Sequence, residues 1–421
     1  MTKTHLKIVI VGAGAAGYFS AITCAETFPE HSVFLLEKTA QVLAKVRISG
    51  GGRCNITHAC FDPAELVKHY PRGQKELRGP FSYFQPLDTI EWFEKRGVAL
   101  KTEEDGRMFP ITDQSETIIQ CLQNAAEEAG VKLLLQHGIE SIQRQVSNEW
   151  LIQLTGGKNV TCDRLLIATG SAGKIYPLLE SLGHTTIPLV PSLFTFNLPT
   201  SPFLDLAGIS VSQVSASLPQ LGFTQKGPLL LTHWGFSGPA ILKLSAWAAR
   251  ELHAAEYKTD VCIDWLPAFS KEELRLQLEK TKQTLGAKLI LSSHPFPLPK
   301  QLWHRLATLS DIPADLRWSS LTQRHMQNLQ TNLQATRLKI QGKTTYKQEF
   351  VTCGGIPLQE VNFKTMESRL SPGLYFAGEV LNIDGVTGGF NFQNAWTTGW
   401  LAGRAIGIQC SSTPRTDKND N

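Results

Sequence analysis

Ile8-Val9-Ile10-Val11-Gly12-Ala13-Gly14-Ala15-Ala16-Gly17 decides how this chain is read. Four β-branched residues in a row mark a strand buried on both faces. Three glycines follow at G-x-G-x-x-G spacing, and a helical pattern runs from Ala15 to about Thr27. In such a turn Gly12 permits the bend, Gly14 lets the backbone approach a pyrophosphate, and Gly17 lets the helix lie close on the strand. The helix start at Ala15 and Ala16 presents free N–H groups and the positive end of the dipole to phosphates. A second apolar run, Val33 to Leu36, ends at Glu37, 20 residues beyond Gly17, with Lys38 next. A carboxylate there accepts from ribose hydroxyls and disfavours a 2′-phosphate, so the nucleotide half reads as plain ADP, as in NAD or FAD. The pattern predicts an α/β fold with a doubly wound dinucleotide-binding sheet.

The chain has 421 residues, enough for two to three domains, and is 42% hydrophobic. Its net charge of +4 and pI near 8.5 form no obvious basic block. That balance neither demands nor excludes an acidic partner, and the expected partner is a small-molecule substrate, not nucleic acid. Eight cysteines are scattered without a C-x-x-C pair, so neither a zinc site nor a redox couple is signalled. No apolar run reaches membrane-spanning length and no signal peptide precedes the first strand, so a cytoplasmic protein without a metal is expected.

Outward from the first motif, Ser49-Gly50-Gly51-Gly52-Arg53-Cys54-Asn55-Ile56-Thr57 is the second unusual segment. Consecutive glycines are costly to order and suit a loop running along a flat or anionic ligand. Arg53 is expected to face phosphate or a substrate carboxylate. Cys54 reads as a buried thiol beside the ligand. Leu87 to Arg96 and Ser115 to Ala129 are amphipathic helices, with Arg107 to Pro110 in a loop between them. Val131 to Leu135 is a strand, and Ile139 to Val146 with Trp150 to Leu154 forms a hairpin. The strand from Arg164 ends in Ala168-Thr169-Gly170, back at the nucleotide. From Thr186 prolines recur and short strands follow. Residues 1–189 are expected to form the first part of the dinucleotide-binding domain. An inserted substrate domain spans 190–345, with a helical subdomain at about 268–332. Residues 346–410 complete the first domain and 411–421 form a tail. Trp318 to Leu329 is read as a helix, and the prolines at 295, 297 and 299 as a connector.

The third motif, Gly373 to Ala395, places a strand before Gly378-Glu379, then Asp384, Gly388-Gly389 and a helix from about Phe390 to Ile406. Glu379 is positioned to bind polyol hydroxyls of a ribityl chain. The helix after Gly388-Gly389 directs N–H groups at negative charge near flavin N1 and O2. Nicotinamide offers no such polyol, which moves the reading from NAD to FAD.

These residues together make the chain resemble the BaiN-like (YhiN-like, aminoacetone-oxidase-family) flavoproteins over nearly its whole length. The resemblance rests on the first two motifs, on Thr232 to Pro239, on Thr352 to Ile356 and on Phe376 to Asn394. It implies non-covalent FAD, an inserted β-barrel-like domain with a helical subdomain, and oxidation or reduction of a small organic substrate by hydride transfer through flavin N5. Family members act on different substrates, so the substrate does not carry over. Two departures stand out. Leu43-Ala44-Lys45 keeps only Lys45 of the family's basic pair. Tyr176-Pro177 leads through Leu178 straight to Ser181, without the family's Gly-Ser-Thr-Gly-Asp-Gly stretch.

The expected cofactor contacts are Gly12 to Gly17, Glu37, Lys38, Lys45, Gly51, Gly52, Arg53, Cys54, Asn55, Ile139, Ala168, Thr169, Gly170, Gly378, Glu379, Asp384, Gly388, Gly389, Phe390, Asn391 and Phe392. Candidates at the reacting centre are His233, Arg53 and Asn391. His233 reads either as a proton donor or orienting group or as a structural histidine. Ser237 reads as a helix N-cap, and Asn391 as a contact to the flavin or its supporting turn. No second G-x-G-x-x-G follows a strand, so no resident NAD(P)H domain is expected, and reducing equivalents would come from a transiently bound NAD(P)H, from another protein or from the substrate itself. The alternatives are an FAD-dependent tRNA-modifying enzyme, which needs a basic face on the insert, and a flavin-binding sensor without turnover.

Overall fold

The computed structural model describes residues 5–344 and 351–408. Cys410 and the expected tail at 411–421 lie outside the described residues. Two compact units emerge, one of Met1–Leu189 with Gly354–Asn421 and one of Val190–Cys353.

The first unit is built on a seven-stranded sheet with β1 (Lys7–Val11) near its centre. Ile8, Val9 and Ile10 are fully buried, as a strand covered on both faces requires. The helix α1 (Ala15–Thr27) follows, then β2 (Ser32–Leu36), which pairs parallel to β1 with Ile10 opposite Leu35. On the other side Arg164–Ile167 also runs parallel, with Ile10 opposite Leu166. The chain thus leaves β1 toward one edge and returns on the other. That is the switch point at which doubly wound sheets bind ligands. Lys132–Leu134 extends the β2 side and Leu374–Phe376 the other, both parallel.

The helix Phe390–Ile406 crosses α1 at close range. A side chain at Gly399 would stand 2.9 Å from Ala16 O, and one at Gly403 2.7 Å from Ser20 O. Those two glycines let the helices touch backbone to backbone.

Arg107–Pro110 is a strand, not the expected loop, because it pairs antiparallel with Thr57–His58 and with Leu100–Thr102. The hairpin Ile139–Arg144 with Trp150–Leu154 gains a third strand, Asn159–Cys162.

In the second unit the strands order as 336–341, 258–264, 210–218, 223–232, 235–237, 195–197 and 343–344. Its two edge strands are consecutive in the chain, separated by Gly342 at φ +127°, so the sheet rolls toward a barrel. Lys343–Thr344 pairs within this unit, whose boundary falls at Cys353. Four helices of eight or more residues, Pro239–Trp247, Lys271–Thr284, Lys300–Thr308 and Gln323–Gln334, pack with buried Trp265, Trp303 and Trp318. Lys300–Thr308 starts directly after the prolines read as a connector. The expected helix from Trp318 is a 3-10 turn, then a helix capped by Thr322, whose hydroxyl accepts the His325 N–H. Ser237 ends a strand and Gly238 takes the N-cap position, so the expected serine cap is not formed.

Candidate cofactor site

The turn after β1 is held from three sides. Gly12 N donates to Leu36 O at 2.8 Å, and Ala13 N donates to Glu37 Oε2 at 3.0 Å. Gly12 adopts φ +101°, and a Cβ there would lie 2.6 Å from Ala168 O. The turn therefore closes onto Ala168-Thr169-Gly170, a contact only glycine permits. A Cβ on Gly14 meets nothing within 4 Å, so open space lies beside the α1 N-terminus. The first N–H groups of α1 have no acceptor in their own helix.

Glu37 sits at the end of β2, half-buried, with Oε1 accepting from Thr39 N and Thr39 Oγ1 at 3.0 and 2.9 Å. Backbone bonds from Gln136 N to Thr39 O and from His137 N to Glu37 O bring the chain before Ile139 alongside it. Lys38 is exposed. On the opposite side, Lys45 Nζ donates to Glu379 Oε2 at 2.5 Å. The same carboxylate lies 3.7 Å from a Cβ built on Gly170. A Cβ on Gly378 would stand 2.8 Å from Ala16 Cβ. The structure thus gathers the first turn, Gly170, Lys45 and Glu379 in one place. The buried Thr169 hydroxyl there finds no hydrogen-bond partner in the protein. Such an orphan suits a bound ligand. Burial, and secondarily Glu379, push the Tyr176 hydroxyl well above its ordinary pKa.

The second and third motifs meet each other. Gly50, Gly51 and Gly52 are all left-handed. Asn55 follows, and its amide ties the two loops together. In the orientation its neighbours require, Oδ1 accepts from Gly389 N at 3.0 Å while Nδ2 donates to Thr57 O at 3.0 Å and Met108 O at 3.3 Å. Gly389 has φ +93° and a Cβ there would lie 2.5 Å from Thr57 O. Asn391 clamps the same turn, accepting from Gly385 N at 2.8 Å and donating to Gly385 O at 2.9 Å. Trp396 Nε1 donates to Ile56 O, and Thr57 Oγ1 donates to Gln393 Oε1. The N-terminus of the helix Phe390–Ile406 is therefore fixed without a side-chain cap.

Several expected contacts already have protein partners. Arg53 stacks 4.0 Å over Phe109 and donates to Glu103 Oε1 at 2.6 Å, with Asp113 at 3.5 Å. Its pKa is raised, chiefly by the Glu103 hydrogen bond. Its side chain braces the glycine loop against the sheet that contains Arg107–Pro110. Asp384 is fully buried against the Arg72 guanidinium. Complete burial pushes the Cys54 thiol up to about 12, which makes it a poor nucleophile. Phe392, half-buried, stacks on Trp396 at 5.7 Å one turn along the same helix. His233 sits exposed with Trp234 at the two-residue hairpin tip of the second unit.

Phe390 is flanked by two histidines that the sequence reading passed over. His69 stacks on it at 4.2 Å and His58 at 4.7 Å. Tyr70 Oη donates to Phe390 O at 2.6 Å. His58 stands directly after the glycine-loop motif, which was the available signal. His69 and Tyr70 come from a separate segment and have none.

An ADP-binding turn, a ribose-side carboxylate, an orphaned hydroxyl and a glycine turn at a helix N-terminus define an FAD-binding Rossmann oxidoreductase. The residues fit that group: the space at Gly14 is open, and no side chain intrudes at Gly51 or Gly52. The chain belongs to the family described as HI0933-like protein Rossmann domain, whose model matches residues 6–405. A ribosomal RNA dihydrouridine synthase of Escherichia coli is 31% identical over 94% of this chain and 97% of its own. A 3-dehydro-bile acid delta(4,6)-reductase of Clostridium scindens is 29% identical over 95% and 98%. Among solved structures, a 3-ketosteroid-delta4-(5alpha)-dehydrogenase of Rhodococcus jostii superposes with a TM-score of 0.52 at 14% identity, covering 97% of this chain and 98% of that one. That likeness is one of fold. Among the described residues no helix is long and apolar enough to cross a membrane.

Proposed function

We propose that this chain is an FAD-dependent reductase that saturates a carbon–carbon double bond conjugated with a carbonyl. The observation that carries the reading is what its two kinds of full-length relative share. A delta(4,6)-reductase of a 3-oxo steroid and a synthase of dihydrouridine take unlike substrates. Both names describe adding two hydrogens across a double bond polarised by a carbonyl.

FAD supplies hydride transfer through N5 when bound. That chemistry would deliver the hydride to the carbon β to the carbonyl, with a proton going to the α carbon, so that the alkene gains two hydrogens at the expense of the reduced cofactor. In this reading the α1 N-terminus and Gly14 hold the pyrophosphate, Glu37 the adenosine ribose and Glu379 the ribityl hydroxyls. Lys45 orients Glu379. Thr169 donates its hydroxyl to the cofactor. The Phe390 N–H, on the turn that Asn55 ties at Gly389 and Asn391 clamps at Gly385, would face the cofactor and stabilise added negative charge there. Arg53 and Asp384 position these loops. NAD(P)H, bound transiently, is the electron donor.

The test is anaerobic. The flavoprotein is photoreduced, which removes the donor from the question, and mixed with a 3-oxo-Δ4 steroid or with a uridine-bearing RNA. Reoxidation with a product heavier by two hydrogens supports the reading. Reduced protein that neither alkene reoxidises, while quinones do, sinks it.

An RNA-borne uridine is the second form of this reading. One observation favours it. Residues 190–353 hold 17 Lys and Arg against 11 Asp and Glu, a net +6, whereas the rest of the chain holds 24 against 26, a net −2.

A further inference from the structure

We propose that the helical part of the inserted unit carries a docking surface for the phosphodiester backbone of RNA, centred on Lys280, Lys288 and Lys300. The inference deepens the RNA-borne form of the reading above and rests on it.

The positive charge of the insert is concentrated. Residues 280–310 contain Lys280, Lys282, Lys288, Lys300 and Arg305 and no Asp or Glu. Two of these five are occupied within the protein. Arg305 makes a two-pronged pair with Asp205 at 2.9 and 2.5 Å, and Lys282 Nζ donates to Leu321 O at 2.6 Å. Lys280, Lys288 and Lys300 are exposed and have no carboxylate partner among the described residues. They converge on one open recess of ≈ 420 Å³, whose wall also offers Ser292, Ser293 and His294.

The recess wall is held in place. Trp303 Nε1 donates to Ile290 O at 2.8 Å and Trp318 Nε1 donates to Ser293 O at 2.8 Å, so two buried indoles pin the 290–293 segment from beneath. His294 stacks on Trp303 at 4.7 Å. Burial, with a smaller contribution from Lys300, holds His294 below its ordinary pKa.

Ammonium groups and hydroxyls suit phosphate oxygens, and no Asp or Glu lines the recess. Phosphate contacts carry affinity without reading sequence, so this surface positions RNA while selection of a base lies elsewhere.

The experiment is fluorescence anisotropy of a short uridine-rich single-stranded RNA with the full chain, between about 50 and about 200 mM salt. Two variants are compared with the parent. One carries Lys280→Ala, Lys288→Ala and Lys300→Ala, the other the three Lys→Arg changes. The alanine variant should bind more weakly, and its log–log salt slope should shrink by about 2, from about 0.7 per lost single-strand contact. The arginine variant should retain binding. An alanine variant with the parent slope overturns the assignment of this surface while leaving RNA as substrate. A parent that binds no RNA at the lowest salt overturns both. Poly-glutamate bound with the same lysine dependence as RNA overturns the choice of partner. Lysine-dependent RNA binding without reoxidation of the reduced flavoprotein supports the surface and sinks the RNA-reductase reading alone.

Discussion

Asn55 Oδ1 accepts the Gly389 N–H at 3.0 Å, joining the glycine-rich loop near the start of the chain to the turn that opens its last long helix. Asn55 is 9% exposed and its Nδ2 is committed to Thr57 O and Met108 O. Asn55→Ala takes the acceptor from Gly389 N and the amide donor from Thr57 O, while Met108 O keeps the Ile56 N–H, at a cost of about 1–3 kcal/mol. Asn55→Asp keeps the acceptor but sets a buried carboxylate against two carbonyls. Its folded-state pKa should be raised, so its stability is fully present below the unfolded value near about 3.9 and lost as pH rises. Urea unfolding at about pH 4 and about pH 7 separates the cases. The alanine variant should be equally weakened at both, and the aspartate variant weaker at the higher pH. Equal behaviour of the two would remove Asn55 as the tie.

Burial pushes the thiols of Cys24, Cys54 and Cys162 up to about 12 and that of Cys121 to about 11. In the unfolded chain a thiol ionises near about 8.5. Below that pH both states are protonated and these groups give no slope. Above it the unfolded chain loses protons the folded chain keeps, so stability falls as pH rises toward about 11 and beyond. Each thiol contributes up to about 1.4 kcal/mol per pH unit in that window. Chemical unfolding should show a plateau to about pH 8 and a steep decline above about pH 9, with Cys24→Ala removing one share of the slope. Rapid alkylation of Cys54 in the folded protein at neutral pH would contradict it.

The first motif was legible because every step of it is local. A β-branched run, three glycines and an acid at fixed spacing force a strand, a turn and a helix with few alternatives. Asn55 and Gly389 lie 334 residues apart, so no spacing rule could pair them. Arg107–Pro110 is polar at one end and ends in proline, and only pairing on both sides makes it a strand. Lys300–Thr308 hid behind three prolines, the last of which fills its N-cap position. The ion pairs of Arg53 were not legible, because its partners Glu103 and Asp113 arrive by tertiary folding. A net charge of +4 concealed opposite balances in the two parts of the chain.

Lys45 and Glu379 separate positioning from binding. The carboxylate is only 18% exposed, whereas the lysine is 47% exposed. A hydrogen bond to a charged group is worth about 1.5–3 kcal/mol. Glu379→Ala should therefore weaken FAD by about 10- to 100-fold in titrations of the apoprotein. Lys45→Met leaves the carboxylate present and should cost less. A larger loss from Lys45→Met than from Glu379→Ala would reverse the two roles.

Gly12 and Gly14 give the sharpest contrast between folding and binding, although they stand two positions apart. At Gly12 a side chain needs φ +101° and meets Ala168 O at 2.6 Å, so Gly12→Ala strains the apoprotein itself. A loss of about 2 kcal/mol or more is expected, since both the backbone and the contact oppose it. Gly14 has φ −90° and ψ −168°, which alanine adopts freely, and nothing lies within 4 Å of the added carbon. Gly14→Ala should leave apoprotein stability within about 0.5 kcal/mol of the parent. The methyl would occupy the space into which the pyrophosphate must come, so FAD affinity should fall at least about tenfold. Differential scanning calorimetry of the apoproteins and flavin titration read the two effects separately. If Gly14→Ala bound FAD as tightly as the parent, the open space beside α1 would not be the phosphate site, whatever Gly12→Ala did to stability.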